Sequence, residues 1–124
     1  MATNQLDPIS IQDAVNPKGY ELVASAARTT TADGATVECP VGRELIVSLD
    51  VSAASGTTPT LDVKIQHSPD GSIWHDLGTA FTQKTAVSKE AKVFTGIHGY
   101  IRASWTIGGT TPSFTFSVLA TGRP

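Results

Sequence analysis

Gly99-Tyr-Ile-Arg-Ala-Ser-Trp-Thr-Ile-Gly-Gly-Thr-Thr-Pro-Ser-Phe-Thr-Phe-Ser-Val-Leu-Ala120 carries two alternating apolar rows. The first is Ile101, Ala103, Trp105 and Ile107; the second is Phe114, Phe116, Val118 and Ala120. Period-2 alternation puts each row on one buried face of a strand. The Gly-Gly-Thr-Thr-Pro break between them predicts a loop joining an antiparallel hairpin. A near copy of that loop, Ser55-Gly-Thr-Thr-Pro-Thr60, precedes Leu61, Val63 and Ile65 at the offsets of Phe114, Phe116 and Val118. The strands after the two loops align at a spacing of 53 residues, while those before them are one residue out of phase. Either a β-bulge absorbs the difference or the two hairpins differ in register. Gly-Thr-Thr-Pro is a good turn in its own right. Its repetition also admits a functional reading, in which Thr57, Thr58, Thr110 and Thr111 sit on two tips that contact one partner surface.

Outward from these loops the pattern stays β. Leu45, Val47, Leu49 and Val51 are in phase within a strand from Arg43 to Ala53, and Leu61, Val63 and Ile65 within one from Thr60 to His67. Ser68-Pro69-Asp70-Gly71 has the proline and glycine of a type I turn and predicts a return into Ser72–Leu77. Tyr20–Arg28 alternates weakly, with Tyr20, Leu22, Ala24 and Ala26 on one side. Thr29–Gly34 is a turn or loop, Ala35–Glu38 a short strand, and Phe81 and Phe94 anchor two weaker strands around a loop at Gln83–Glu90. The predicted core comprises Leu45, Val47, Leu49, Leu61, Val63, Ile65, Trp105, Phe114, Phe116 and Val118. The expectation is an all-β, antiparallel β-sandwich of about eight strands, jelly-roll-like, with an immunoglobulin-like sandwich as the alternative. Residues 19–124 form the single domain. Residues 1–18 form an extended arm in which Pro8 and Pro17 prevent continuous pairing. Its aliphatics, Leu6, Ile9, Ile11 and Val15, suit either a free tail or docking on a neighbouring molecule.

Composition narrows the chemistry. The 124 residues are 40% hydrophobic and 16% charged, with net charge −2. The charged fraction is below the usual level of about 25%, and Thr, Ser and Gly take its place. A nucleic-acid binder would show a basic stripe, so no nucleic-acid partner is expected. Lys84, Lys89 and Lys92 share a segment with Glu90 and suit a solvated loop or edge strand. Cys39 is the one cysteine, so no intrachain disulfide and no cysteine-based zinc site is available. Its apolar neighbours predict a half-buried thiol. Met1–Pro8 has no basic start or apolar run, and no stretch has the length of a transmembrane helix. Synthesis and folding in the cytoplasm, without a membrane partner, are expected.

The search for catalysis returns little. His67, His75 and His98, with Asp70 and Asp76, fall short of the three or four ordered ligands of a zinc site, and Asp70 is explained by its turn. No Gly-x-Ser-x-Gly elbow or phosphate-cradling glycine pattern is present. No catalytic, cofactor or metal residues are therefore assigned, and the chain is not expected to be an enzyme. Trp74, Tyr100 and Trp105 could stack on sugar rings, although Trp105 is in phase with the core.

Two stretches, Leu61–Leu77 and Tyr100–Phe116, resemble small virion proteins of tailed bacteriophages, the decoration or cement proteins of the capsid. The resemblance covers roughly residues 43–121 and rests on turn and core patterns. It implies a β-sandwich on the outer surface of the assembled head, made in the host cytoplasm, that bridges major capsid protein subunits and self-associates as a homodimer or homotrimer. The alternative function is a glycan- or host-binding module on the virion or tail.

Overall fold

A computed structural model describes residues 18–39, 44–96 and 99–123. It contains seven strands: β1 (Lys18–Arg28), β2 (Ala32–Asp33), β3 (Val37–Cys39), β4 (Glu44–Ser68), β5 (His75–Leu77), β6 (Ser88–Thr95) and β7 (Gly99–Arg123). All described pairings are antiparallel, and no helix occurs among the described residues. The fold is an all-β sandwich made from one hydrogen-bonded sheet that doubles over on itself.

The doubling-over corrects the predicted hairpins. Ile101–Ile107 and Phe114–Ala120 do not pair with each other. They are the two halves of β7, and both pair with β4, whose own halves hold Leu45–Val51 and Leu61–Ile65. Four predicted strands are thus two long ones of 25 residues each. The first half of β4 lies between the second half of β7 and β6, with β1 outermost, in one layer. The second half of β4 lies between the first half of β7 and β5 in the other, with β2 and β3 outermost.

Trp105 and Phe116 show that the layers face each other. In a straight strand they would lie about 36 Å apart, yet their rings meet edge to face at 5.4 Å. Phe81 and Phe94 make a similar contact at 6.3 Å. All ten predicted core residues are buried in a single cluster. Leu22 and Val23 are buried together although adjacent in sequence, because register shifts after Glu21 and after Val23 turn β1. The predicted row through Ala24 and Ala26 is therefore lost, and both alanines are exposed. The predicted loop at Thr29–Gly34 contains β2, and Phe81 stands outside any strand, its N–H donating to Val63 O at 2.9 Å.

The one-residue phase slip is a bulge. Val51 pairs with Phe116 and Ala53 with Thr115, so Ser52 is the extra residue. The chain turns back after Ser68 as predicted, but side chains close the turn and the returning strand is only β5, His75–Leu77, not the whole of Ser72–Leu77. The Ser68 hydroxyl accepts from Gly71 N at 2.8 Å, and Asp70 Oδ1 accepts from Ser72 N at 2.8 Å and Ile73 N at 3.0 Å. β5 then pairs with β4 from Ile65 to His67.

Lys84 departs from its predicted solvated position. It is 7% exposed, exchanges backbone hydrogen bonds with Leu61, and its Nζ lies 2.7 Å from Glu90 Oε1. The pair ties the second half of β4 to β6, and hence one layer to the other. Burial pushes the Glu90 carboxyl up, but Lys84, the Thr82 N–H and Lys92 outweigh it and hold it below its ordinary value. The Ile73 and Ser72 amides, with the Ser68 hydroxyl, lower Asp70 from 3.8 to about 2. Both groups bind fewer protons in the folded state than in the unfolded state. Their stabilisation is complete above about pH 5 and is lost as pH falls through the lowered folded values. Urea midpoints measured from pH 6 to pH 2 are expected to fall, and less steeply in Glu90→Gln; parallel curves would refute this role.

Candidate functional site

Where β4 and β7 pass from one layer to the other, the ladder is interrupted. Pairing runs to Ser55↔Ser113, touches at Thr57↔Thr110, and resumes at Thr60↔Gly108. Pro59 and Pro112 have no N–H to offer, so the ladder cannot be continuous there. The two Gly-Thr-Thr-Pro segments are not separate tips. They lie side by side, antiparallel, as two arches where the sheet folds over from one layer to the other, and together they form a saddle.

The arches are near-identical. Gly56 and Gly109 have φ of 114° and 110°, and Thr58 and Thr111 both have φ of 46°. A Cβ on Gly56 would lie 2.7 Å from Thr111 O and 2.9 Å from Pro112 Cα. A Cβ on Gly109 would lie 2.7 Å from Thr58 O and 2.9 Å from Pro59 Cα. Only glycine allows two backbones to approach so closely at positive φ. Thr58 Oγ1 donates to Thr57 O at 2.8 Å, and Thr111 Oγ1 to Thr110 O at 2.8 Å. Thr57, Thr58, Thr110 and Thr111 are all exposed, so the structure joins the four predicted contact threonines in one patch.

That patch is stiff and uncharged. From Ser55 to Thr60 and from Gly108 to Ser113 no side chain is charged, and none is long. Short, β-branched side chains on a strand-held backbone lose little entropy when a partner covers them. A β-branched residue at positive φ is strained by about 1–3 kcal/mol, and the chain places one in each arch. The flanks beneath are pinned. Trp105 Nε1 donates to Thr30 O at 3.0 Å, and the Thr31 hydroxyl accepts from Ile107 N at 3.0 Å. Arg28 lies 5.1 Å from the Trp105 ring and 5.7 Å from Phe116, a lid on the core that the sequence reading did not single out.

The other candidates separate in space. Leu6, Ile9, Ile11 and Val15 lie outside the described residues, as do His98 and the Cys39 side chain. His67 and His75 are a cross-strand pair with rings 6.4 Å apart. Among the described residues no group of three or more His, Cys, Asp or Glu could hold a metal ion. Trp74 and Tyr100 are half-buried and each has an occupied face. The Arg102 guanidinium sits 4.3 Å from the Trp74 ring, and Gly71 packs over Tyr100. Arg102 also donates to Gln66 at 2.9 Å and reaches Asp33 at 3.4 Å, while Gln66 and Lys64 both meet Asp76. Four charges of that outer face, Asp33, Lys64, Asp76 and Arg102, are thus matched in pairs. On the outer face of the opposite layer, Ile46, Val93 and Leu119 are exposed, with Ile46 directly opposite Val93. Among the described residues no helix is long and apolar enough to cross a membrane.

No protein-family model matches the sequence, and no curated protein matches it. Solved structures do match the fold. The crystal structure of the SPBc2 prophage-derived protein YomS aligns over 96% of this chain and 100% of its own, with a TM-score of 0.52 and 13% identity. This is a shared fold. A chain in the structure of infectious bursal disease virus, Gx strain, aligns over 98% of this chain with a TM-score of 0.52 and 15% identity. The alignment covers 36% of the virus chain, so this sandwich spans about a third of that protein. At 13% and 15% identity, both likenesses are of fold alone.

Proposed function

We propose that this chain is a capsid decoration protein of a tailed phage. It docks on the outer surface of the assembled head and bridges neighbouring major capsid protein subunits, with self-association into a dimer or trimer. The observation that carries the reading is the saddle: a neutral, hydroxyl-lined surface in which threonine stands at two positive-φ positions that glycine or asparagine would fill with less strain. Strain of this kind clusters at functional sites, ligand clamps among them. The shared fold with a prophage-derived protein supports a virion role. The aliphatics Leu6, Ile9, Ile11 and Val15 are proposed as further contacts on the shell. The glycan-binding alternative is weaker, because Trp74 and Tyr100 offer no open flat platform.

Cosedimentation of the purified chain with bare shells of the cognate major capsid protein tests the proposal. Saturable binding at fixed stoichiometry is expected. A neutral interface gains little from long-range attraction, so affinity is expected to change by less than about threefold between 50 and 500 mM salt. Absence of binding, or glycan binding lost with Trp74→Ala, would overturn the reading.

A further inference from the structure

We infer that the saddle recognises a two-fold-related pair of identical surfaces, one arch seated on each, so that a single copy of this chain spans two equivalent partner subunits. The inference rests on the capsid reading above and specifies the partner's symmetry.

The fold itself is duplicated about the Thr57–Thr110 contact. In the first half of the chain, β1 and then β2 and β3 flank what is the long strand β7, before β4 crosses between layers. In the second half, β5 and then β6 flank β4, before β7 crosses back. Away from the saddle the two halves have lost chemical equivalence. One outer face carries the matched charges of Asp33, Lys64, Asp76 and Arg102, and the other carries exposed Ile46, Val93 and Leu119. The core keeps only its apolar pattern, with Leu61, Val63 and Ile65 in the places of Phe114, Phe116 and Val118.

At the saddle the identity is complete over four residues, Gly56-Thr-Thr-Pro59 and Gly109-Thr-Thr-Pro112. Glycine or asparagine would satisfy the positive φ at residues 58 and 111 with less strain. Neither arch takes that relief: both hold threonine, with the same φ and the same 2.8 Å hydroxyl contact. What the two arches share is what they present outward. Each shows two threonine methyls and two hydroxyls: the proton of Thr58 or Thr111 is already used, leaving lone pairs as acceptors, while the hydroxyl of Thr57 or Thr110 can donate or accept. The matching partner surface is an uncharged protein edge offering both N–H donors and C=O acceptors, present twice about a two-fold axis. Two linked half-sites then act as one bivalent contact, in which losing either half weakens the whole.

Thr57→Arg, Thr110→Arg and the double variant, compared with wild type on bare shells of the cognate major capsid protein, test this. Both positions are exposed, and a melting temperature within a few degrees of wild type confirms that each variant folds; Thr57→Asn and Thr110→Asn serve if an arginine variant does not. The expected result is one bound chain per two shell subunits, with each single variant lowering affinity about tenfold or more and the two losses alike. A variant at one arch that is silent while its counterpart abolishes binding, or one chain per shell subunit, overturns the two-fold inference and leaves the capsid reading standing. Failure of the wild-type chain to bind any shell overturns both.

Discussion

Phe116→Ala is expected to destabilise the protein by about 3–5 kcal/mol, a large share of the roughly 5–15 kcal/mol that holds a typical domain together. Phe116 is fully buried, lies edge-on to Trp105 at 5.4 Å and has Arg28 over its ring at 5.7 Å. Truncation opens a cavity where the second half of β7 meets the first, and it removes an aromatic pair worth about 0.5–1.5 kcal/mol beyond the area it buries. The packed sandwich cannot collapse into that space without drawing its two layers together. Equilibrium urea unfolding measures the loss. Leu119→Ala, three residues along the same strand but 47% exposed, is the control, with an expected change of less than about 1 kcal/mol. Equal losses for the two would mean that the halves of β7 do not face each other.

Gly56→Ala and Gly109→Ala are each expected to destabilise by about 2–5 kcal/mol, from backbone strain at positive φ and overpacking together. The methyl would stand 2.7 Å from a carbonyl oxygen and 2.9 Å from a proline Cα of the facing arch. Those are backbone atoms, so no side chain can swing aside. Because the environments are reciprocal, the two losses should agree within about 1 kcal/mol. The double variant should lose less than their sum, since either methyl already forces the arches apart. Thermal unfolding of the three variants checks this. A neutral result at either glycine would show that the arches are not in contact.

The apolar rows and the Ser68–Gly71 turn were legible because period-2 burial and turn chemistry are local rules. The path of the chain between rows was not. Gly-Thr-Thr-Pro satisfies a loop and a strand crossing equally well: in both cases glycine supplies positive φ and proline interrupts a ladder. The signal for the crossing was the 53-residue repetition with its one-residue slip, which a single bulge at Ser52 explains. Lys84 was misplaced for a different reason. Its burial depends on Glu90 across the layers, and pairing at that distance leaves no periodic trace. The four saddle threonines were found by their repetition, but their assembly into one surface depended on how the sheet folds over.

The unbroken course of β4 and β7 has a mechanical consequence. Both strands run from the saddle to the opposite end of one layer, where Lys18 pairs with Gly122 and Glu44 with Thr95. A pull along that axis shears the ladder, so its rungs resist together instead of yielding one after another. Torn sideways, the same ladder would unzip from its margin. The strong direction of the molecule is thus fixed by the way its two longest strands fold over together between the layers.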